Sequence, residues 1–180
     1  MKIVLSEPLV YLSPMTALER QNLIQKIAQL PDQVAELVAP LSPAQLVARP
    51  LMPEWSVAQN VHHLVDSHMN SYVRCKLIAT EQKPPLKPYD QDAWAALPDA
   101  SDADISMSLS MLKGLHTRWV HFWRTLPDEA WARTGLHAQY GEMSLERILN
   151  SYVEHGEGHI QQMKRTMAAL YPFLTIIHQR

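Results

Sequence analysis

Residues 105–126, ISMSLSMLKGLHTRWVHFWRTL, decide the reading of the fold. Ile105, Leu109, Leu112, His116, Trp119, Trp123 and Leu126 recur in steps of three and four, so on an α-helix they form one seam. Asp104 stands where a cap would open this helix, and Pro127 where it would stop. A seam carrying two tryptophans must be covered by other helices, and the flanking sequence supplies them.

On the N-terminal side, Val57, Val61, Leu64, Val65, Tyr72 and Ala79 share one face of a helix expected from about Trp55 to Glu81. Before it, Leu23, Ile27, Leu30, Val34 and Leu37 give a helix from Thr16 to about Ala39. Pro31 interrupts its hydrogen bonding, so the reading is one kinked helix or two stacked end to end. Ser42 and Pro43 then have the form of an N-cap and a first helical residue. On the C-terminal side, Ser144 and Arg147 begin a fourth helix running to about Leu170, followed by a short apolar tail, Phe173 to Ile177, after Pro172. Between Pro127 and Met143 a small hairpin is expected around Tyr140-Gly141. Residues 83–101, KPPLKPYDQDAWAALPDAS, hold four prolines and read as a long crossover with a helical turn near Trp94. The expected fold is all-α: a four-helix bundle over residues 1–180, one domain, with the crossover between its second and third long helices. A content of 47% hydrophobic residues with only 5 glycines agrees with it.

Charge excludes several partners. The 16 basic and 18 acidic residues are dispersed, with no Lys/Arg run to track a phosphate backbone, so nucleic acid is not expected. No stretch approaches the ~20 apolar residues needed to cross a bilayer, and MKIVLSEPLVYLSP has too short an apolar run for a secretory signal. A cytoplasmic protein without a membrane role is the expectation. Cys75 is the single cysteine, so a metal site here would rest on imidazole and oxygen.

Nine histidines are present, and their placement is more informative than their number. In His155-Gly156-Glu157-Gly158-His159 the two imidazoles lie one helical turn apart, about 6 Å at Cβ, close enough to share a metal ion. Two of the five glycines stand between them, each costing roughly 1 kcal/mol against alanine in a helix. Close approach of a ligand or a neighbouring backbone would explain them. The bland alternative is a pair of partly buried histidines hydrogen-bonded within the bundle. Glu157 projects away from the pair and is not placed as a metalloprotease base. A third ligand has to come from elsewhere, and the second long helix offers His62, His63 and His68. His63 shares a polar stripe with Asp66, Asn70 and Arg74. Periodicity alone makes that stripe a solvated face. Its functional reading is a polar cleft in which Asp66 orients the His63 ring. His62 and His68 point elsewhere on the wheel, and His116 on the seam reads as a satisfied core histidine.

The run Trp55-Ser56-Val57, then Val61-His62-His63-Leu64-Val65-Asp66-Ser67-His68-Met69-Asn70 with Tyr72 and Arg74, resembles the YfiT-like branch of the DinB superfamily. Lys87-Pro88-Tyr89-Asp90 with Ala93-Trp94, Leu115-His116 with Arg118-Trp119, and the helix bearing His155, Gly156 and His159 continue the resemblance in order, over about Leu41 to Met163. The resemblance implies a four-helix bundle holding a divalent metal, zinc or nickel, on His63, His155 and His159. It therefore implies a buried role for His63, against the solvated-face reading. It further implies a metal-dependent enzyme that activates a small nucleophile. With a low-molecular-weight thiol the enzyme is an S-transferase, the leading expectation, because no glutamate is placed as general base. With water it is a hydrolase, and a non-enzymatic metal-binding stress or interaction bundle is the third alternative. Asp66, Asn70 and Arg74 would orient an anionic cosubstrate, Arg74 pairing its carboxylate. The partners implied are a small-molecule substrate and a second copy of the chain in a homodimer.

Overall fold

The computed structural model describes residues 14–177. Four long helices form the frame: α1 (Ala17–Val38), α3 (Val57–Thr80), α5 (Ser106–Arg124) and α6 (Leu145–Ile177). The short α2 (Pro43–Val47) and α4 (Gln91–Ala95) lie between them. Each of the first three helices opens on a capping box. Thr16, Ser42 and Ser56 accept a backbone N–H from the residue three ahead, while the side chains of Glu19, Gln45 and Gln59 reach back to the cap N–H. α5 differs: Ile105 holds the cap position, and the carboxylate of Asp104, one residue earlier, accepts the Ser106 N–H at 3.0 Å. The Ser144 hydroxyl accepts the Arg147 N–H at 3.0 Å and so starts α6.

Both internal prolines sit within continuous helices. α1 passes through Pro31, so it is one helix and not two. α6 likewise carries on through Pro172 to Ile177, which corrects the expected separate tail. A proline deletes one backbone bond, and the turns on either side can still propagate.

The crossover contains one element that its sequence hides. Residues Pro85–Leu86 form β1, parallel to β2 (Thr134–His137), which pairs antiparallel with β3 (Gly141–Ser144) around Gly141 at φ 68°. The hairpin was expected around Tyr140-Gly141; the third strand was not, because two residues beside two prolines carry no alternation to read. α4 forms around Trp94, capped by the Asp90 carboxylate, and Gln59 of α3 donates to the Ala95 carbonyl at 2.8 Å, pinning the crossover to the bundle.

α1 packs against α5 and α6, and α3 packs against the same two, so α1 and α3 face each other across the bundle. The apolar core is divided in two. One cluster gathers Ile27, Ile78, Trp119, Trp123, Leu145 and Leu149; the other gathers Leu30, Val34, Leu64, Leu112 and Met163. His68 on α3, His116 on α5, and His155 and His159 on α6 fall between the two clusters along their helices, while His63 sits among the α3 members of the second cluster, beside Leu64. A polar layer thus crosses the middle of the core.

Candidate metal centre

α3 and α6 lie side by side at that layer, and three of its imidazoles converge there. His155 Nε2 is 3.2 Å from His63 Nε2 and 3.2 Å from His159 Nε2, and one ring nitrogen from each of the three lies within 4.8 Å of the others. All three are buried, His63 at 4% exposure. The solvated-face reading of His63 is therefore overturned. Helix α3 is buried around nearly its whole circumference from Val57 to His68, so a polar stripe on it faces protein rather than water.

The surrounding hydrogen bonds assign the His155 and His159 rings. Asn60 donates its side-chain N–H to the Ser56 carbonyl at 2.8 Å, which leaves its Oδ1 to accept from His159 Nδ1–H at 2.7 Å. On the other side, His116 Nδ1–H donates to the Ile27 carbonyl at 2.7 Å, and His116 Nε2 faces His68 Nδ1 at 2.8 Å. His68 Nε2 in turn faces His155 Nδ1 at 3.1 Å. A carbonyl only accepts, so each neutral ring must donate through Nδ1 and accept through Nε2 until the series ends on His155. Burial keeps these rings neutral: it pushes His63 and His116 down to about 4 and holds His68, His155 and His159 well below their ordinary value.

The consequence is that His155 and His159 turn bare Nε2 lone pairs toward each other at 3.2 Å. Two such nitrogens repel unless a cation or a hydrogen-bond donor is shared between them. Tetrahedral ligation at roughly 2.0–2.1 Å from zinc to nitrogen places neighbouring ligand atoms about 3.3 Å apart, so the spacing suits a bound divalent ion. Trp55 forms one wall, its ring 4.7 Å from His63 and stacked on His159 at 6.1 Å.

A family model described as the DinB superfamily matches residues 26–163. The chain belongs to the DinB superfamily. A Bacillus cereus protein named "Putative metal-dependent hydrolase" is 40% identical over 149 residues, covering 83% of this chain and 86% of its own, and a Bacillus anthracis protein of the same name matches to the same extent. Among solved structures, "YfiT from Bacillus subtilis is a probable metal-dependent hydrolase with an unusual four-helix bundle topology" superposes with a TM-score of 0.84 at 36% identity, covering 92% of this chain and 97% of that one. The expected bundle and the expected family are both confirmed.

In this DinB-superfamily chain the other residues expected at the site have different surroundings from those foreseen. Asp66 is half-buried, and among the described residues it makes no hydrogen bond to His63. Its carboxyl is raised from the ordinary value first by burial and then by Asp99, with His62 acting in the opposite direction. Asn70 folds its amide back onto the Asp66 carbonyl at 2.8 Å, and Arg74 donates to the Lys87 carbonyl at 2.5 Å, clamping the crossover to α3. Arg74 also lies near Tyr89 and His137. His62 ties α3 to the start of α5 through Ser108 and the Asp102 carbonyl. Glu157 points outward to Lys26 at 2.9 Å.

Sequence reasoning undervalued Asn60, His68 and His116. His68 lies five residues after His63, about 140° round the helix, so no wheel puts both in one site. Only the burial of α3 on two sides brings both rings to the same layer. At Gly156 the close approach comes from α1. A Cβ on Gly156 would lie 2.7 Å from Leu30 Cδ2, so the close neighbour is a leucine side chain of α1 rather than its backbone.

Proposed function

We propose that this chain is a metal-dependent enzyme holding one divalent ion, zinc or nickel, on His63, His155 and His159, and that it uses the ion to activate a small nucleophile. The observation that carries this is the pair of bare Nε2 atoms 3.2 Å apart in a buried layer, with the other nitrogen of each ring already committed to Asn60 or His68. When bound, a divalent ion supplies Lewis acidity that makes a coordinated nucleophile more acidic. The protein's own groups hold neutral imidazoles in place and fix the tautomers of His155 and His159, with the Trp55 ring packed beside His63 and His159.

The nucleophile we assign is a low-molecular-weight thiol, which makes the activity an S-transfer. Glu157 points outward to Lys26 and Asp66 makes no hydrogen bond to His63, so neither of these carboxylates is placed as a general base for a nucleophile at this site. A thiol ionises near pH ~8.5 unaided and bulk water only near ~15.7, so the thiol is the easier one to activate here. Its sulfur would form the new bond to an electrophilic carbon, the leaving group departing with its electron pair and the thiol proton passing to solvent. Hydrolysis is the second reading, favoured by the names of the Bacillus cereus and Bacillus anthracis relatives.

Metal analysis of protein purified without a nickel column tests the centre. Close to one equivalent is expected, lost in His155→Ala; less than about half an equivalent, unchanged by that substitution, would refute it. Offering the loaded protein an electrophile with and without cysteine or glutathione then separates the chemistries. Thioether formation abolished by a chelator supports transfer, and ester or amide cleavage without any thiol supports hydrolysis.

A further inference from the structure

Pro31 is buried in the middle of α1, where proline costs about 3 kcal/mol relative to alanine. Its missing N–H is the one that would bond the carbonyl four residues earlier, and that carbonyl belongs to Ile27. The same oxygen accepts His116 Nδ1–H at 2.7 Å. Ile27 and His116 are each 1% exposed, so water does not compete for the pair.

We propose that Pro31 frees the Ile27 carbonyl to anchor a series of buried imidazoles, His116 and His68, which holds His155 in the tautomer that ligates metal. The inference rests on the metal centre proposed above. His68 and His116 are positioning residues: neither contributes a nitrogen to the convergent trio. From the carbonyl the contacts run 2.7 Å to His116, 2.8 Å to His68 and 3.1 Å to His155, passing from α1 to α5, α3 and α6. A neutral imidazole has one donor and one acceptor, so a fixed acceptor at one end sets the direction of every bond. Reversing the series would require the carbonyl to donate, which it cannot do. The same fact excludes the series as a conduit for protons to solvent. Its role is to leave His155 Nε2 bare and aimed at the ion, in the way that outer hydrogen bonds orient metal-binding histidines generally. All four long helices are thereby linked to one ligand.

Pro31→Ala tests this directly, because the backbone N–H it restores at that position would compete for the Ile27 carbonyl in a helix that alanine otherwise favours. Long-range ¹H–¹⁵N NMR of the metal-free wild type should show Nδ1–H on His116, His68 and His155, with His155 Nε2 unprotonated. Zinc affinity, measured by competition with a chelator, should fall about 10-fold in His116→Leu, the low end of what losing an outer partner costs. Pro31→Ala should lie between that variant and wild type while unfolding at no lower a temperature. A purely structural role for Pro31 would raise stability and leave affinity unmoved. Wild-type His155 carrying Nε2–H, or unchanged affinity in Pro31→Ala, would overturn the proposal. Should His116→Leu not fold, the wild-type spectrum and Pro31→Ala decide alone. Should wild type bind no zinc, the metal reading falls, and the tautomers of the metal-free protein still decide whether the anchor exists.

Discussion

Gly156 offers a quantitative test of how α1 and α6 meet beside the metal centre. Replacing it with alanine has two opposed effects. Alanine improves helix propensity by about 1 kcal/mol. Its methyl would also sit 2.7 Å from Leu30 Cδ2 and 3.1 Å from Cδ1, and Leu30 is a buried member of the core, so the leucine must leave its position. Overpacking of that kind costs about 1–3 kcal/mol. The net expectation for Gly156→Ala is a loss of about 0–2 kcal/mol. In a Leu30→Ala background the clash disappears, and the same substitution should stabilise by about 1 kcal/mol. The coupling between the two sites is then about 1–3 kcal/mol, measurable from urea unfolding of the four proteins at constant m-value. If Gly156→Ala stabilises equally with and without Leu30, the close approach is not what requires the glycine, and the packing argument fails.

Further predictions concern other parts of the chain. His116 is held neutral at a value of about 4 against 6.5 when exposed, so above pH 6.5 it adds no pH dependence, and as the pH falls from 6.5 to about 4 only the unfolded chain takes up its proton. Stability of the metal-free protein should therefore be level from about pH 8 to 7 and drop below about 6.5; a level profile down to about pH 4.5 would contradict the buried neutral ring. Cys75 is fully buried with its thiol pushed up to about 12 by burial, so a thiol reagent should label it only on unfolding, and rapid labelling of the native protein would show the α3 packing to be wrong. A Cβ on Gly135 would lie 2.9 Å from Leu86, which joins β2 to β1. Gly135→Ala should cost about 1–3 kcal/mol, and a neutral result in thermal unfolding would count against the three-stranded sheet. Arg74→Ala removes the clamp on the Lys87 carbonyl, so amide exchange near residues 85–90 should accelerate with little change in global stability.

Much of the bundle was legible because local physics dictates it. The cap at Ser42 satisfies a helix N–H group from within four residues, and the seam from Leu109 to Trp123 repeats within one helix. The pairing of β1 was not legible, since its partner lies far along the chain and two residues have no period. His63 was misread by periodicity for a related reason. A buried polar layer and a solvated face look alike on a helical wheel, because both carry residues that form hydrogen bonds.

By itself the sequence determined four amphipathic helices, their starting points to within two residues, and a histidine pair one turn apart in HGEGH. The tertiary structure decided everything that depends on two helices at once. It set α1 across from α3, brought His63 to the α6 pair, and placed Leu30 against Gly156. Pro31 shows the division most clearly: the sequence reveals that one carbonyl of α1 has lost its donor, and only the packing of α5 against α1 shows that a histidine takes the donor's place. Backbone bonding is local and follows the order of residues, whereas the alignment of lone pairs across a core follows from how the helices fit together.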